Sequence, residues 1–127
     1  MKPVCLVIGA GAGIGGTVGM RFAREGYHAV LCRRTGQDGL DSMVAAIEAG
    51  GGSATGFLLN AVEADSIENL IAKVEADIGP IKVLVYNLGS QVGNRTLEET
   101  NYKTFELGWR MATFGLFRAA STVCPLM

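Results

Sequence analysis

The sequence predicts an α/β fold, a parallel sheet with helices on both faces, and three observations carry that prediction. Four short strand-like segments recur along the chain: Val4 to Ile8, His28 to Cys32, Ser53 to Leu59 and Ile81 to Tyr86. Segments with a helical apolar period separate them, and strands that alternate with helices join in parallel through crossovers. A glycine cluster, Gly9-Ala10-Gly11-Ala12-Gly13-Ile14-Gly15-Gly16, stands between the first strand and the first helix. Right-handed crossovers then give the strand order 3-2-1-4. A ligand crevice belongs at the C-terminal ends of strands one and four, marked by Gly9 and Asn87.

Val4 to Ile8 is apolar without alternation, as a strand buried on both faces requires. A helix is expected over Ile14 to Glu25, stopped by Gly26. His28 begins the second strand, which ends at Arg33-Arg34; Thr35 to Gly39 reads as a turn. Leu40 to Ala49 reads as a helix with Leu40, Met43, Val44 and Ile47 on one face, ended by Gly50-Gly51-Gly52. The weaker third strand leads to Asn60. A third helix starts at Ala64 or Asp65 and runs to Ile78, with Ile67, Leu70, Ile71 and Val74 as its apolar stripe. Gly79-Pro80 ends it, and the fourth strand is apolar apart from Lys82. Asn87 to Glu99 is a loop; Asn101 to Val123 is helical, with a break expected near Leu107-Gly108 and a stop at Pro125.

Composition sets the outer bounds. A chain of 127 residues forms one domain at most and buries roughly two-thirds of its unfolded surface. With 49% hydrophobic and 18% charged residues it is not a disordered chain, and a net charge of -1 offers no footprint for nucleic acid or an anionic membrane. No segment approaches the ~20 apolar residues of a membrane helix. The short apolar run after Lys2 is broken by Pro3 and glycines and followed by Arg21 and Arg24, which argues against a signal peptide. Cys5, Cys32 and Cys124 form no C-x-x-C pair, and two of them sit in buried strands as small hydrophobes. No metal site is expected, and a reducing, cytoplasmic setting is the default.

The cluster contains a G-x-G-x-x-G match, Gly11 to Gly16, but its first glycine falls three residues after the strand ends. The register that fits the strand end is Gly9-x-x-x-Gly13-Ile14-Gly15, which leaves a small-residue loop to lie over a pyrophosphate and puts Gly13 at the helix start. The alternative, that these glycines serve only close helix–strand packing, is outweighed by the strand–turn–helix context. On these residues the chain resembles the short-chain dehydrogenase/reductase family, whose signature is T-G-x-x-x-G-I-G. Ile8 stands in place of the family's threonine and removes one side-chain hydrogen bond from the turn. The resemblance implies a Rossmann-type domain with a cofactor loop of Gly9, Gly11, Ala12, Gly13, Ile14 and Gly15.

NAD-using enzymes place a carboxylate at the end of the second strand, where it accepts from the ribose hydroxyls. Arg33 and Arg34 stand here instead, and guanidinium forks suit the 2′-phosphate of NADP. NADP is therefore expected over NAD; a merely solvated arginine turn is the alternative. The family's adenine-contacting aspartate corresponds to Asn60, followed by Ala61, and an amide can still bond an adenine edge. Asn87-Leu88-Gly89 matches the family's V-N-N-A-G element at Asn87 and Gly89, not at Tyr86 or Leu88. The bulkier Leu88 is expected to crowd the place of the nicotinamide-side ribose.

Chemistry by this family needs a serine and a tyrosine with a lysine four residues later, which lowers the tyrosine's pKa. Tyr27, Tyr86 and Tyr102 are followed four residues on by Leu31, Ser90 and Glu106, and the family's catalytic asparagine corresponds to Ala112. His28 lies at the sheet end opposite the crevice, and Ser90 and Thr96 have no base beside them, so no catalytic residue is assigned. The resemblance covers all 127 residues as a cofactor-binding half, incomplete at its C-terminus and ending before a fifth strand. The expected function is that half of an NADP-dependent oxidoreductase moving hydride between nicotinamide and a small alcohol or carbonyl. The other reading is a non-catalytic nucleotide-binding or interaction module. Trp109, Met111, Phe114, Leu116 and Phe117 on the last helix, which resembles the family's interface helix, and an unpaired fourth-strand edge predict self-association.

Overall fold

β1 (Val4–Ile8), β2 (His28–Arg33), β3 (Ser53–Leu58) and β4 (Ile81–Tyr86) form one parallel sheet in the order β3-β2-β1-β4. The computed structural model describes residues 1–88 and 95–127. Every β1 residue is buried, because it has a strand on each side and a helical layer on each face. Successive side chains of a strand point to opposite faces. Val4, Leu6 and Ile8 therefore join Val30 and Cys32 beneath α3 (Ser66–Asp77) and α5 (Gly115–Val123). Cys5 and Val7 join Ala29 and Leu31 beneath α1 (Ile14–Arg24) and α2 (Gln37–Ala49). The three-layer architecture and the strand order are as expected.

Two element boundaries differ in instructive ways. Helix α2 starts at Gln37, inside the expected turn, because Gly36 reverses the chain at φ 85° and its carbonyl already accepts from Leu40 N–H at 3.1 Å. Gly39 was the misleading residue; it sits within the helix. The last helical stretch has no break at Leu107-Gly108. α4 (Tyr102–Trp109) runs through Gly108 and continues into a π turn (Arg110–Phe114), then α5. The Tyr86 hydroxyl donates to the Met111 carbonyl, and Gly115 leaves room for it, since a Cβ there would collide with that hydroxyl. The helix widens around this contact.

β4 is the sheet edge among the described residues, and Val83 to Tyr86 are only half-buried. No helix of the described residues is long and apolar enough to cross a membrane. Burial pushes the Cys5 thiol up to about 11 and raises Cys32 as well, while Cys124 is exposed.

His28 lies at the sheet's N-terminal end, with Nδ1 3.0 Å from Ser53 Oγ and Nε2 2.8 Å from Thr55 Oγ1. Burial and then the Lys2 charge hold its pKa below the ordinary value. The folded chain thus resists a proton that the unfolded chain accepts. Its stability contribution is complete above about pH 6.5 and is lost as pH falls through the depressed folded value. Melting curves from pH 7 to 5 should fall less steeply for His28→Gln than for the parent; parallel profiles would rule the effect out.

Candidate functional site

The site is built at the C-terminal ends of β1 and β4. Gly9 leaves β1 at φ 97°, a region an L side chain rarely enters, and an added Cβ would lie 2.7 Å from the Asn87 carbonyl carbon. Asn87 N–H donates to the Ile8 carbonyl at 2.8 Å, so the two strand ends are tied where Gly9 turns. The N–H groups of Gly9 and Ala10 both donate to the Cys32 carbonyl, at 2.9 and 2.8 Å, which joins the turn to β2. Helix α1 is pressed onto this turn: a Cβ on Gly15 would stand 3.0 Å from Ala10 Cα and collide with the Gly9 carbonyl.

Gly13 is the N-cap of α1, with no side chain to bond the first-turn amides and no protein atom within 4 Å of an added Cβ. Gly16 N–H is taken by the Gly11 carbonyl at 2.9 Å, and the Ile14 and Gly15 amides with the positive dipole end suit an anion. Contact thus demands glycine at 9 and 15 but not at 13. Gly16, outside the expected cofactor loop, is also confined, by the Gly11 carbonyl and the Met43 sulfur 2.7 Å from its Cβ position. The Gly15-Gly16 doublet was the available signal.

A cavity of about 380 Å³ opens over the turn, lined in part by Gly9, Gly11, Ile14, Gly15, Arg33, Arg34 and Asn87. Ala12 and Gly13 are exposed and line neither this cavity nor the next. Arg33 is half-buried with its guanidinium over the start of α2, Nη1 2.8 Å from the Cβ position of Gly39; Arg34 is exposed. Among the described residues neither arginine is in an ion pair, so both charges are available to an anion in the cavity.

A second, more enclosed slot of about 140 Å³ shares Gly9, Arg33, Arg34, Leu88 and Met111 with the first. Asn60 and Ala61 form its floor with Leu59 and Val62; Asn60 Oδ1 accepts from Val62 N–H at 3.2 Å. Its lining is mostly apolar with a few polar groups, Arg33, Arg34 and Asn60, a composition common in small-molecule sites. Leu88 is half-buried and borders both cavities. Gly89 and Ser90 lie outside the described residues.

Two residues that close the slot, Leu107 and Met111, were not singled out as site residues from the sequence. With Gly115 and Arg118 they form one helical face at spacings of four, four and three, and that period was the missed signal. Ala112 faces elsewhere, into a cavity of about 210 Å³ with Phe105 and Trp109. Tyr86 is spent on the Met111 carbonyl, and burial raises its pKa. Thr96 Oγ1 accepts from Glu99 N–H at 3.3 Å in a local turn. Among the described residues no three His, Cys, Asp or Glu side chains gather as a metal site would require.

Comparison with known proteins is consistent across sequence and structure. The family described as short chain dehydrogenase matches residues 3–127. A fatty acyl-CoA reductase of Acinetobacter baylyi is 32% identical over 126 residues, which is 98% of this chain and 42% of that protein. A 3-oxoacyl-(acyl-carrier-protein) reductase of Thermotoga maritima is 37% identical over 86 residues, 68% of this chain and 35% of that protein. The chain therefore spans less than half the length of these curated relatives. Among solved structures, a short-chain dehydrogenase from Rhodopseudomonas palustris superposes with a TM-score of 0.91 at 31% identity, over 100% of this chain and 58% of that one. A variant of actinorhodin polyketide ketoreductase, solved with NADPH, gives a TM-score of 0.86 at 30% identity, covering 96% and 46%.

Proposed function

Because the chain belongs to the short-chain dehydrogenase family, we propose that it binds a nicotinamide dinucleotide, NADP in preference to NAD, as the cofactor-binding half of an oxidoreductase. One observation carries the preference. Arg33 and Arg34, without ion-pair partners among the described residues, border the same cavity as the Gly9–Gly15 turn. A dinucleotide with its pyrophosphate at that turn would meet two guanidinium groups at the end of β2, where NAD binders use an acceptor. The relative solved with NADPH supports the same choice.

In this reading residues 1–127 are one NAD(P)-binding domain, and each part has a task. Gly9, Gly11 and Ile14 to Gly15 hold the pyrophosphate, with Ala12 and Gly13 as the exposed edge of the loop. Arg33 and Arg34 take the 2′-phosphate, and Asn60 and Ala61 border the adenine slot. Asn87 and Leu88 line the nicotinamide side, continued by Gly89. The cofactor, when bound, supplies or accepts hydride. The shared chemistry of the relatives' names is a carbonyl or alcohol substrate. The chain has no tyrosine followed four residues later by lysine, so hydride transfer requires groups beyond it. Separate calorimetric titrations with NADPH and NADH test the reading: tighter NADPH binding is expected, and an NADH preference or no NADPH binding would overturn it.

Ala112 favours the second reading, a non-catalytic nucleotide-binding or interaction module of the same fold, because the family's asparagine is absent there. Hydride transfer by a longer form would decide against it. For either reading we infer a reducing compartment, the cytoplasm; free thiols, two of them buried within strands, support it.

Self-association belongs to either reading. Phe105 and Phe117 are 70% and 68% exposed, and Trp109 stacks on Phe114 with ring centroids 5.2 Å apart while both stay accessible. Such apolar area beside an edge strand favours pairing. Light scattering should report a dimer or larger species; a monomer throughout a concentration series would exclude it.

A further inference from the structure

Arg118 is the buried charge of the structure's described core, 9% exposed on α5, away from both cavity walls. Its guanidinium grips Glu68 on α3 with two bonds, Nε to Oε2 at 3.1 Å and Nη2 to Oε1 at 2.7 Å. The same fork donates to two backbone carbonyls of the loop between β3 and α3: Nη1 to Ala61 at 2.6 Å and Nη2 to Glu63 at 2.9 Å. The Ser66 hydroxyl donates its one proton between the Asn60 carbonyl, at 2.8 Å, and the Glu63 carbonyl, at 3.0 Å. The carbonyls of residues 60, 61 and 63 are thus all turned onto the helices behind the loop.

Fixing those carbonyls fixes the peptide planes between them, because each peptide unit is rigid. The faces of Asn60, Ala61 and Val62 that form the slot are set by this arrangement. Stability alone does not call for it, since well-packed apolar side chains commonly replace a buried ion pair without loss. What an apolar side chain cannot do is hold two carbonyls and a carboxylate in one plane, as the guanidinium fork does. The lone arginine on the Leu107-Met111-Gly115 face is its sequence signature.

We propose that Arg118 is a positioning residue for nucleotide recognition: it lines neither cavity and acts from behind by holding the Asn60–Val62 wall against which the adenine end of the dinucleotide lies. The inference rests on the nucleotide reading above. Arg118 stands some distance from the ligand, on the helix that follows the π turn contributing Met111 to the same slot. The wall it holds faces the slot that Arg33 and Arg34 also border, but its bonds go to Glu68 and to the loop carbonyls and not to those arginines.

The test compares the 127-residue chain with Arg118→Met, Arg118→Lys and Glu68→Gln by NADPH calorimetry, together with amide exchange at residues 61–63. Val123→Ala, a truncation in the same core cluster, supplies a control of lowered melting temperature that leaves the loop's carbonyl bonds intact. Arg118→Met should weaken NADPH at least ten-fold and speed exchange at residues 61–63, with Arg118→Lys between it and the parent. Val123→Ala should keep the parent affinity within two-fold. Should Arg118→Met fail to fold, Arg118→Lys and Glu68→Gln carry the same comparison with smaller losses. Unchanged affinity in the folded Arg118 and Glu68 variants, or an equal loss in Val123→Ala, overturns the inference alone. Failure of the unmodified chain to bind NADPH overturns the nucleotide reading first and the inference with it.

Discussion

Replacing Gly9 by alanine should destabilise the chain by roughly 3 kcal/mol, a melting temperature lower by about 10 °C. Two costs combine. At φ 97° an L side chain is strained, and the new Cβ would sit 2.7 Å from the Asn87 carbonyl carbon. Neither cost has an easy escape, because the Asn87 backbone is held to Ile8 by the 2.8 Å bond that closes the β1–β4 ladder. Gly11→Ala is the matched control: an added Cβ there meets no protein atom within 4 Å, and its φ is not positive. That variant should melt within about 2 °C of the parent. Thermal denaturation of the three chains checks the pair, and a Gly9→Ala chain that melts with the parent would remove the steric basis of the turn.

Replacing Arg33 and Arg34 together by alanine should weaken NADPH roughly a hundred-fold while leaving NADH within about three-fold. Hydrogen bonds to charged groups contribute about 1.5–3 kcal/mol each, and the 2′-phosphate is the feature that separates the two cofactors. Arg33 is expected to carry the larger share, since its half-buried guanidinium is already ordered over Gly36 and Gly39. Arg34 is exposed and has more freedom to lose on binding. The single variants rank the two. An equal loss for both cofactors would move the arginines from phosphate recognition to general electrostatics, and no loss for NADPH would exclude them from the site.

How far the site could be read from the sequence depended on the range of the contacts concerned. The glycine register was legible because strand end, turn and helix start are neighbours in the chain, and a backbone that must approach another closely leaves glycine as its trace. The arginines were legible for the same reason, as the residues at and just past the end of a strand whose apolar run announces that end. The start of α2 was misplaced because Gly39 reads as a turn residue, while the reversal is made at Gly36. The π turn was not legible at all: the Tyr86 hydroxyl meets Met111 across 25 positions, and no helical period encodes that partner.

By itself the sequence determined the alternation of strands and helices, hence the strand order, the glycine turn and the charge at the end of β2. These follow from local backbone preference and from periodicities of two and 3.6 residues, which each segment carries alone. Tertiary structure decided which helical face closes the slot and what holds the wall opposite. Leu107 and Met111 reach the crevice, and Arg118 reaches the Ala61 carbonyl 57 positions away, only once α5 is packed on α3 and the sheet. Such contacts join residues far apart in the chain, and their geometry exists only after the layers have assembled.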